Sequence, residues 1–209
     1  MTDDFCNEEE ERNLYAARPT SANPVGPDDS PQRASYPHTN AGTCAYGDKN
    51  AVGEGIMDVS SFSQIEAEFM ERVHHIVWCN VATIDTLDRP RSRILHPLWE
   101  GSTGWITTRR NLHKAKHLAH NPYVSLAYIA DLAKPVYVDC KTEWTDDLDQ
   151  KQRIWQLCKE TPPPVGFDPT PIYESPDHPN FGLLKLIPWR IELYNPPPDK
   201  PLVWHATFP

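Results

Sequence analysis

Arg91 to Pro122, RSRILHPLWEGSTGWITTRRNLHKAKHLAHNP, decides how this chain is read. Its first third, Arg91 to Trp99, alternates side chains as a strand does when one face is buried and one is available, so Arg93, Leu95 and Pro97 share a face. Gly101 and Gly104 let the chain reverse, and Trp105, Ile106, Thr107 and Thr108 form a second β-branched and aromatic run that completes a hairpin. Asn111 then stands where it caps a short helix, with Leu112, Ala115 and Leu118 at helical spacing and Asn121-Pro122 as its stop. The predicted unit is strand, strand, helix.

Its donors are chemically pointed. Arg93, Thr107, Thr108 and Lys114 are expected to converge where the helix N-terminus presents unpaired N–H groups, and such a set suits a phosphate. The same residues also suit solvated charges and ordinary strand threonines, and spacing alone leaves both readings open.

Arg93-Ile94-Leu95-His96-Pro97, the strand ending at Thr108, and the run His113 to Leu126, HKAKHLAHNPYVSL, together resemble the flavin-binding split barrels of the pyridoxamine 5′-phosphate oxidase-like family. The resemblance covers Ser61 to Tyr194. It implies a mainly β (α+β) fold, an antiparallel split β-barrel with flanking helices, and a bound FMN whose phosphate is held by Arg93, Thr108 and Lys114. Thr107 and His113 would assist, and the backbone of Arg93, Ile94, Leu95 and His96 would line the flavin ring. It further implies a homodimer acting as an oxidoreductase on a small-molecule substrate, with Trp189 or Arg190 walling the partner subunit's flavin. Two readings stay open beside it. One is a deazaflavin-dependent reductase whose anionic coenzyme tail meets Arg109, Arg110 and Lys116; the other is a non-catalytic flavin- or haem-binding module. The chain ends TrpHisAlaThrPhePro rather than in the family oxidase's Arg-Leu-Ala-Pro, and Pro135 stands where the family usually offers glutamine, so classical pyridoxamine phosphate oxidase activity is not expected.

Working outward, residues 1–58 mix acidic residues with Pro, Ser, Asn and Gly and carry no sustained apolar period, which predicts a disordered acidic extension before a flavin-binding domain at 59–209. Residues 1–60 hold 11 acidic and 4 basic residues and so account for most of the net charge of −9. What remains is near neutral, without a basic footprint for nucleic acid or for an anionic membrane. No apolar run reaches spanning length, and the acidic opening MTDDFCNEEEE is unlike a signal peptide, so a cytoplasmic protein is expected. Five widely spaced cysteines with no Cys-x-x-Cys pair read as reduced thiols.

Order is expected from Phe62, with Ser63 and Glu66 as a capping box and Ile65, Phe69 and Val73 as one buried stripe. Strands are predicted at Ile76 to Asp85, Tyr123 to Ile129, Val136 to Trp144 and Leu183 to Tyr194, the last bulged or at an edge because Pro188 donates no hydrogen bond. Asp146 or Asp147 caps a helix bearing Leu148, Ile154, Trp155 and Cys158, and the proline-rich stretch Thr161 to Pro179 reads as an extended loop. Short strands without intervening long helices favour an antiparallel barrel over parallel βαβ units. His113, His117 and His120 lie at spacings that could bring imidazoles to one helix side, but no carboxylate or cysteine accompanies them at ligand spacing, and no metal site is expected.

Overall fold

The computed structural model describes residues 55–206. The extension expected at 1–58 lies outside the described residues as far as position 54, as do Cys6 and Cys44. Its last residues already belong to the sheet, because β1, Met57–Val59, pairs in parallel with the closing strand β9, Leu202–His205. A single 3-10 turn, Phe62–Gln64, leads into α1, Glu66–Ile76. The capping box sits one turn earlier than the sequence suggested: the Ser61 N–H donates to Gln64 Oε1 at 3.2 Å, so the Ser63 and Glu66 pair does not supply it. The buried stripe of Ile65, Phe69 and Val73 is as expected.

β2, Cys79–Ile84, and β3, Pro90–Leu95, pair antiparallel. The single strand expected from Arg91 to Trp99 is in fact two. At His96-Pro97 the chain changes partners, and β4, Leu98–Glu100, pairs with β5, Thr103–Arg109. Pro97 has no N–H to continue a ladder, which explains the break and removes Pro97 from the face of Arg93 and Leu95. Gly101, at φ +55, makes the β4–β5 reversal, whereas Gly104 lies in β5 opposite Trp99. A Cβ on Gly104 would come within 2.8 Å of the Trp99 ring, so that glycine serves close packing rather than the turn.

α2, His113–His120, follows with Leu112, not Asn111, at its N-cap and no side-chain cap bond. Then come β6, Tyr123–Tyr128; β7, Val136–Thr145; α3, Leu148–Glu160; α4, Thr170–Tyr173; and β8, Phe181–Leu193. The Asp147 side chain caps α3 by accepting from Asp149 N–H. α4 interrupts what the prolines had suggested was a continuous extended loop, and its Tyr173 packs edge-on against Phe181 at 5.1 Å.

The strands join one mostly antiparallel sheet in the order β1-β9-β8-β7-β6-β2-β3, with β5 also on β8 and β4 on β5. β8 is therefore central, and Pro188 marks a bulge rather than an edge. Cys140 pairs with Pro188 and Asp139 with Arg190, which leaves Trp189 as the extra residue. Two apolar clusters fill the structure. One gathers the α1 stripe with the inner faces of β2, β6, β7 and β8; the other places Ile154, Trp155 and Cys158 of α3 on Trp105, Tyr173, Phe181 and Leu183. Cys79, Cys140 and Cys158 are buried free thiols, and burial pushes the Cys79 thiol up to about 12. No helix among the described residues is long and apolar enough to cross a membrane.

Candidate cofactor site

β5 settles which predicted donors meet. Its residues alternate between the two faces of the sheet, so Ile106 and Thr108 point one way and Trp105 and Thr107 the other. On the Thr108 side lies a recess lined by Thr83, Arg93, Leu95, Thr108, Lys114 and Thr142 over an apolar floor that includes Leu184 and Leu186. β2, β3, β5 and α2 each bring a polar side chain to it. The space inside is about 10 Å³, room for at most a water, so a larger anion would be held at its mouth and not swallowed.

The polar groups here are buried to an unusual degree: Thr83 is 3%, Thr108 4%, Lys114 8% and His117 9% exposed. Lysine rarely sits so deep in a fold. Lys114 and His117, three residues apart, face inward from α2 together with Leu118. The sequence had put Leu112, Ala115 and Leu118 on the apolar side, yet Leu112 precedes the helix. Arg93 Nη1 donates to Thr83 Oγ1 at 2.9 Å, and Thr83 Oγ1 lies 3.1 Å from His117 Nδ1. Burial, then the neighbouring Arg93, lowers the His117 pKa, with Arg91 and His113 adding to the effect against an opposing pull from Asp85.

A carboxylate organises the strand's outer arginines. Asp85 accepts from the Leu87 and Arg89 N–H groups and from Arg89 Nε at 3.0 Å, and its Oδ2 lies 3.4 Å from Arg91 Nε. Burial alone would raise this carboxyl, but the bonds from Arg89 and Leu87 outweigh it and hold the pKa well below the usual carboxylate range.

The recess thus gathers Arg93, Leu95, Thr108 and Lys114 from the predicted site. The other candidates lie elsewhere. Thr107 lies on the opposite face of β5, toward the second cluster. Ile94 points outward, 61% exposed. His96 turns away between Trp78 and Phe167, with ring centroids 5.1 Å from each and its Nε2 buried without a partner. His113 is exposed at the start of α2, and Trp189 sits at the bulge, outside the recess lining, with its indole N–H buried and unpartnered. Arg110 is held by Asp146 at 2.9 Å and stacks on Trp144 at 4.4 Å. Thr83 and Thr142 were not singled out from the sequence as site residues, and His117 was weighed there only with His113 and His120 as a metal-ligand candidate. The available signal was the spacing of three from Lys114 to His117, which puts both on one side of any helix containing them.

Several known proteins share this architecture. Residues 65–195 match the family model for pyridoxamine 5′-phosphate oxidase. No curated protein sequence matches the chain. Among solved structures, a protein related to general stress protein 26, of the pyridoxinephosphate oxidase family, from Clostridium acetobutylicum aligns with a TM-score of 0.55 at 17% identity, over 68% of this chain and 95% of that one. A pyridoxamine 5′-phosphate oxidase-related, FMN-binding protein from Nostoc punctiforme gives 0.53 at 17% identity over 71% and 92%. A heme-binding protein from Mycobacterium smegmatis gives 0.50 at 14% identity over 68% and 57%. At such identities the structures speak for the fold, but the family model spans most of the described residues, and the chain belongs to the pyridoxamine 5′-phosphate oxidase-like family, with its split-barrel fold.

Proposed function

We propose that this chain is a flavin-dependent oxidoreductase that binds FMN and acts, as a homodimer, on a small-molecule substrate. The observation that carries the reading is the meeting of Arg93, Thr108 and Lys114, from three separate elements, at one recess. Two fixed cations and a hydroxyl suit the charge and the acceptor oxygens of a phosphate monoester. Arg93 offers a planar fork of donors, Lys114 a compact charge in the first turn of α2 at the positive end of the helix dipole, and Thr108 an orienting hydroxyl. When bound, FMN supplies the hydride or electron transfer, and the protein's part is to anchor and orient it. Leu95 and the apolar floor keep water from the inner side of the cations, which strengthens their hold on an anion.

The dimer is supported by the outward face of β3, β2 and β6. There Ile94, Asn80 and Ala127 align in one row and Ser92, Ala82 and Ser125 in the next, a small-residue surface without a charge. A second copy of the chain fits such a face better than solvent-exposed isolation does. The deazaflavin alternative calls on Arg109, Arg110 and Lys116, of which Arg110 is already held by Asp146 and Trp144; the haem alternative calls on the helix histidines, of which His117 bonds Thr83 and His120 lies 2.9 Å from Asp88. FMN is the better fit to the recess.

The test is a titration of the purified protein with FMN, and separately with a deazaflavin, read by flavin absorption and fluorescence quenching. Saturable FMN binding that weakens by about 1.5–3 kcal/mol in each of Arg93→Ala and Lys114→Ala is expected, the range for hydrogen bonds to charged groups. Unchanged affinity in both variants would remove the phosphate assignment.

A further inference from the structure

Thr83 and His117 are buried polar side chains to which the phosphate reading gives no role. Their hydrogen bonds tie them to Arg93. A guanidinium carries only donors, so in its 2.9 Å bond to Arg93 Nη1 the Thr83 hydroxyl oxygen is the acceptor. The single hydroxyl proton then has two acceptors within reach, Arg91 O at 3.4 Å and His117 Nδ1 at 3.1 Å. The hydroxyl oxygen has a second lone pair, so Thr83 either donates to Nδ1 or donates to Arg91 O while accepting from a protonated Nδ1, and either arrangement ties it to His117. A continuous set of contacts runs from Arg93 through Thr83 to His117.

We infer that Thr83 and His117 are positioning residues that hold the Arg93 guanidinium ready for an anionic ligand group, an inference that rests on the phosphate-binding role proposed for Arg93. Three features support it. Arg93 is a long side chain whose ordering otherwise counts against ligand binding, and a buried acceptor removes part of that cost beforehand. Thr83 is neutral, so this bond orients the guanidinium without itself cancelling its charge. Finally, His117 and Lys114 share one face of α2, so the helix that supplies the lysine also braces the arginine from the opposite strand pair. Thr83 sits opposite Arg91 in the β2–β3 ladder and diagonal to Arg93, within reach of a long side chain on the same face.

The experiment compares affinities for FMN and for riboflavin, which lacks the phosphate, in Thr83→Val, Thr83→Ser, His117→Leu and His117→Asn, each with Arg93 intact and with Arg93→Ala. Valine matches threonine in shape but accepts no hydrogen bond; asparagine places an amide that can accept or donate close to the position of Nδ1. Thr83→Val and His117→Leu should weaken FMN binding by roughly three- to tenfold and leave riboflavin unchanged, while serine and asparagine restore most of the loss. In the Arg93→Ala background Thr83→Val should cost nothing further, because the cycle then has no partner through which to act. An Arg93→Ala variant that loses FMN while Thr83→Val keeps it would overturn the positioning role and spare the phosphate reading. So would a Thr83→Val loss of the same size in both backgrounds, the mark of a merely structural residue. An Arg93→Ala variant with wild-type FMN affinity would overturn both.

Discussion

The two faces of β5 set two uses of burial side by side. Trp105 and Thr107 look onto a cluster of large side chains where Trp155 and Phe181 meet edge-to-face at 5.3 Å and Arg153 closes over Trp105. Ile106 and Thr108 look onto a recess where Thr83 and Lys114, with His117 beside Thr83, are buried nearly as deeply as the aromatic residues opposite. The first arrangement stabilises by removing apolar surface from water; the second retains desolvated polar and charged groups, which burial alone disfavours. Strain of that kind gathers at functional sites, and the contrast directs attention to the Thr108 face.

The comparison is broken most severely from the apolar side. Phe181→Ala should cost about 3–5 kcal/mol of folding stability, measured by denaturant unfolding, because it opens a fully buried site beneath α3 and α4. Lys114→Ala should do the reverse: a loss of about 1.5–3 kcal/mol in FMN affinity with little change in the unfolding midpoint. The adjacent threonines sharpen the distinction. Thr108→Val should weaken FMN by about 1 kcal/mol, and Thr107→Val, on the other face of β5, should leave FMN affinity unchanged. The smallest effect is with pH. Burial lowers the pKa of His74, His96 and His117, so as pH falls below about 6.5 the unfolded chain takes up protons first. Stability should therefore decline below that pH and level off once the folded histidines also titrate; unfolding free energies measured from pH 8 to 5 check the sign. Asp85 adds a second loss at lower pH, since its contribution is present above the unfolded carboxylate pKa and disappears as pH falls through the depressed folded value.

How far the sequence could be read follows from which physics was local. Strand alternation, the Ile65, Phe69 and Val73 stripe and the Asp147 cap depend on near neighbours, and all were legible. So was the meeting of Arg93, Thr108 and Lys114, although through the family resemblance rather than through spacing. Pro97 hid a change of strand partner, which a one-dimensional pattern does not show. Thr107 was grouped with Thr108 because both carry hydroxyls, while the period of two required them to diverge. Thr83 lies ten positions from Arg93 and thirty-four from His117, and only the closed sheet brings the three together. β1 was missed because three residues are too few for a periodic signal, and its partner β9 lies at the far end of the chain.

Phosphate recognition by the recess is the property on which the proposed FMN binding depends. The most direct measurement is the ratio of FMN to riboflavin affinity in the wild-type protein and in Lys114→Ala, by fluorescence quenching under identical salt. A wild-type protein that binds FMN much more tightly than riboflavin, and a variant in which that preference collapses while riboflavin binding persists, is the result predicted. Equal affinity for the two flavins in the wild type, or a variant that weakens both by the same factor, would contradict it.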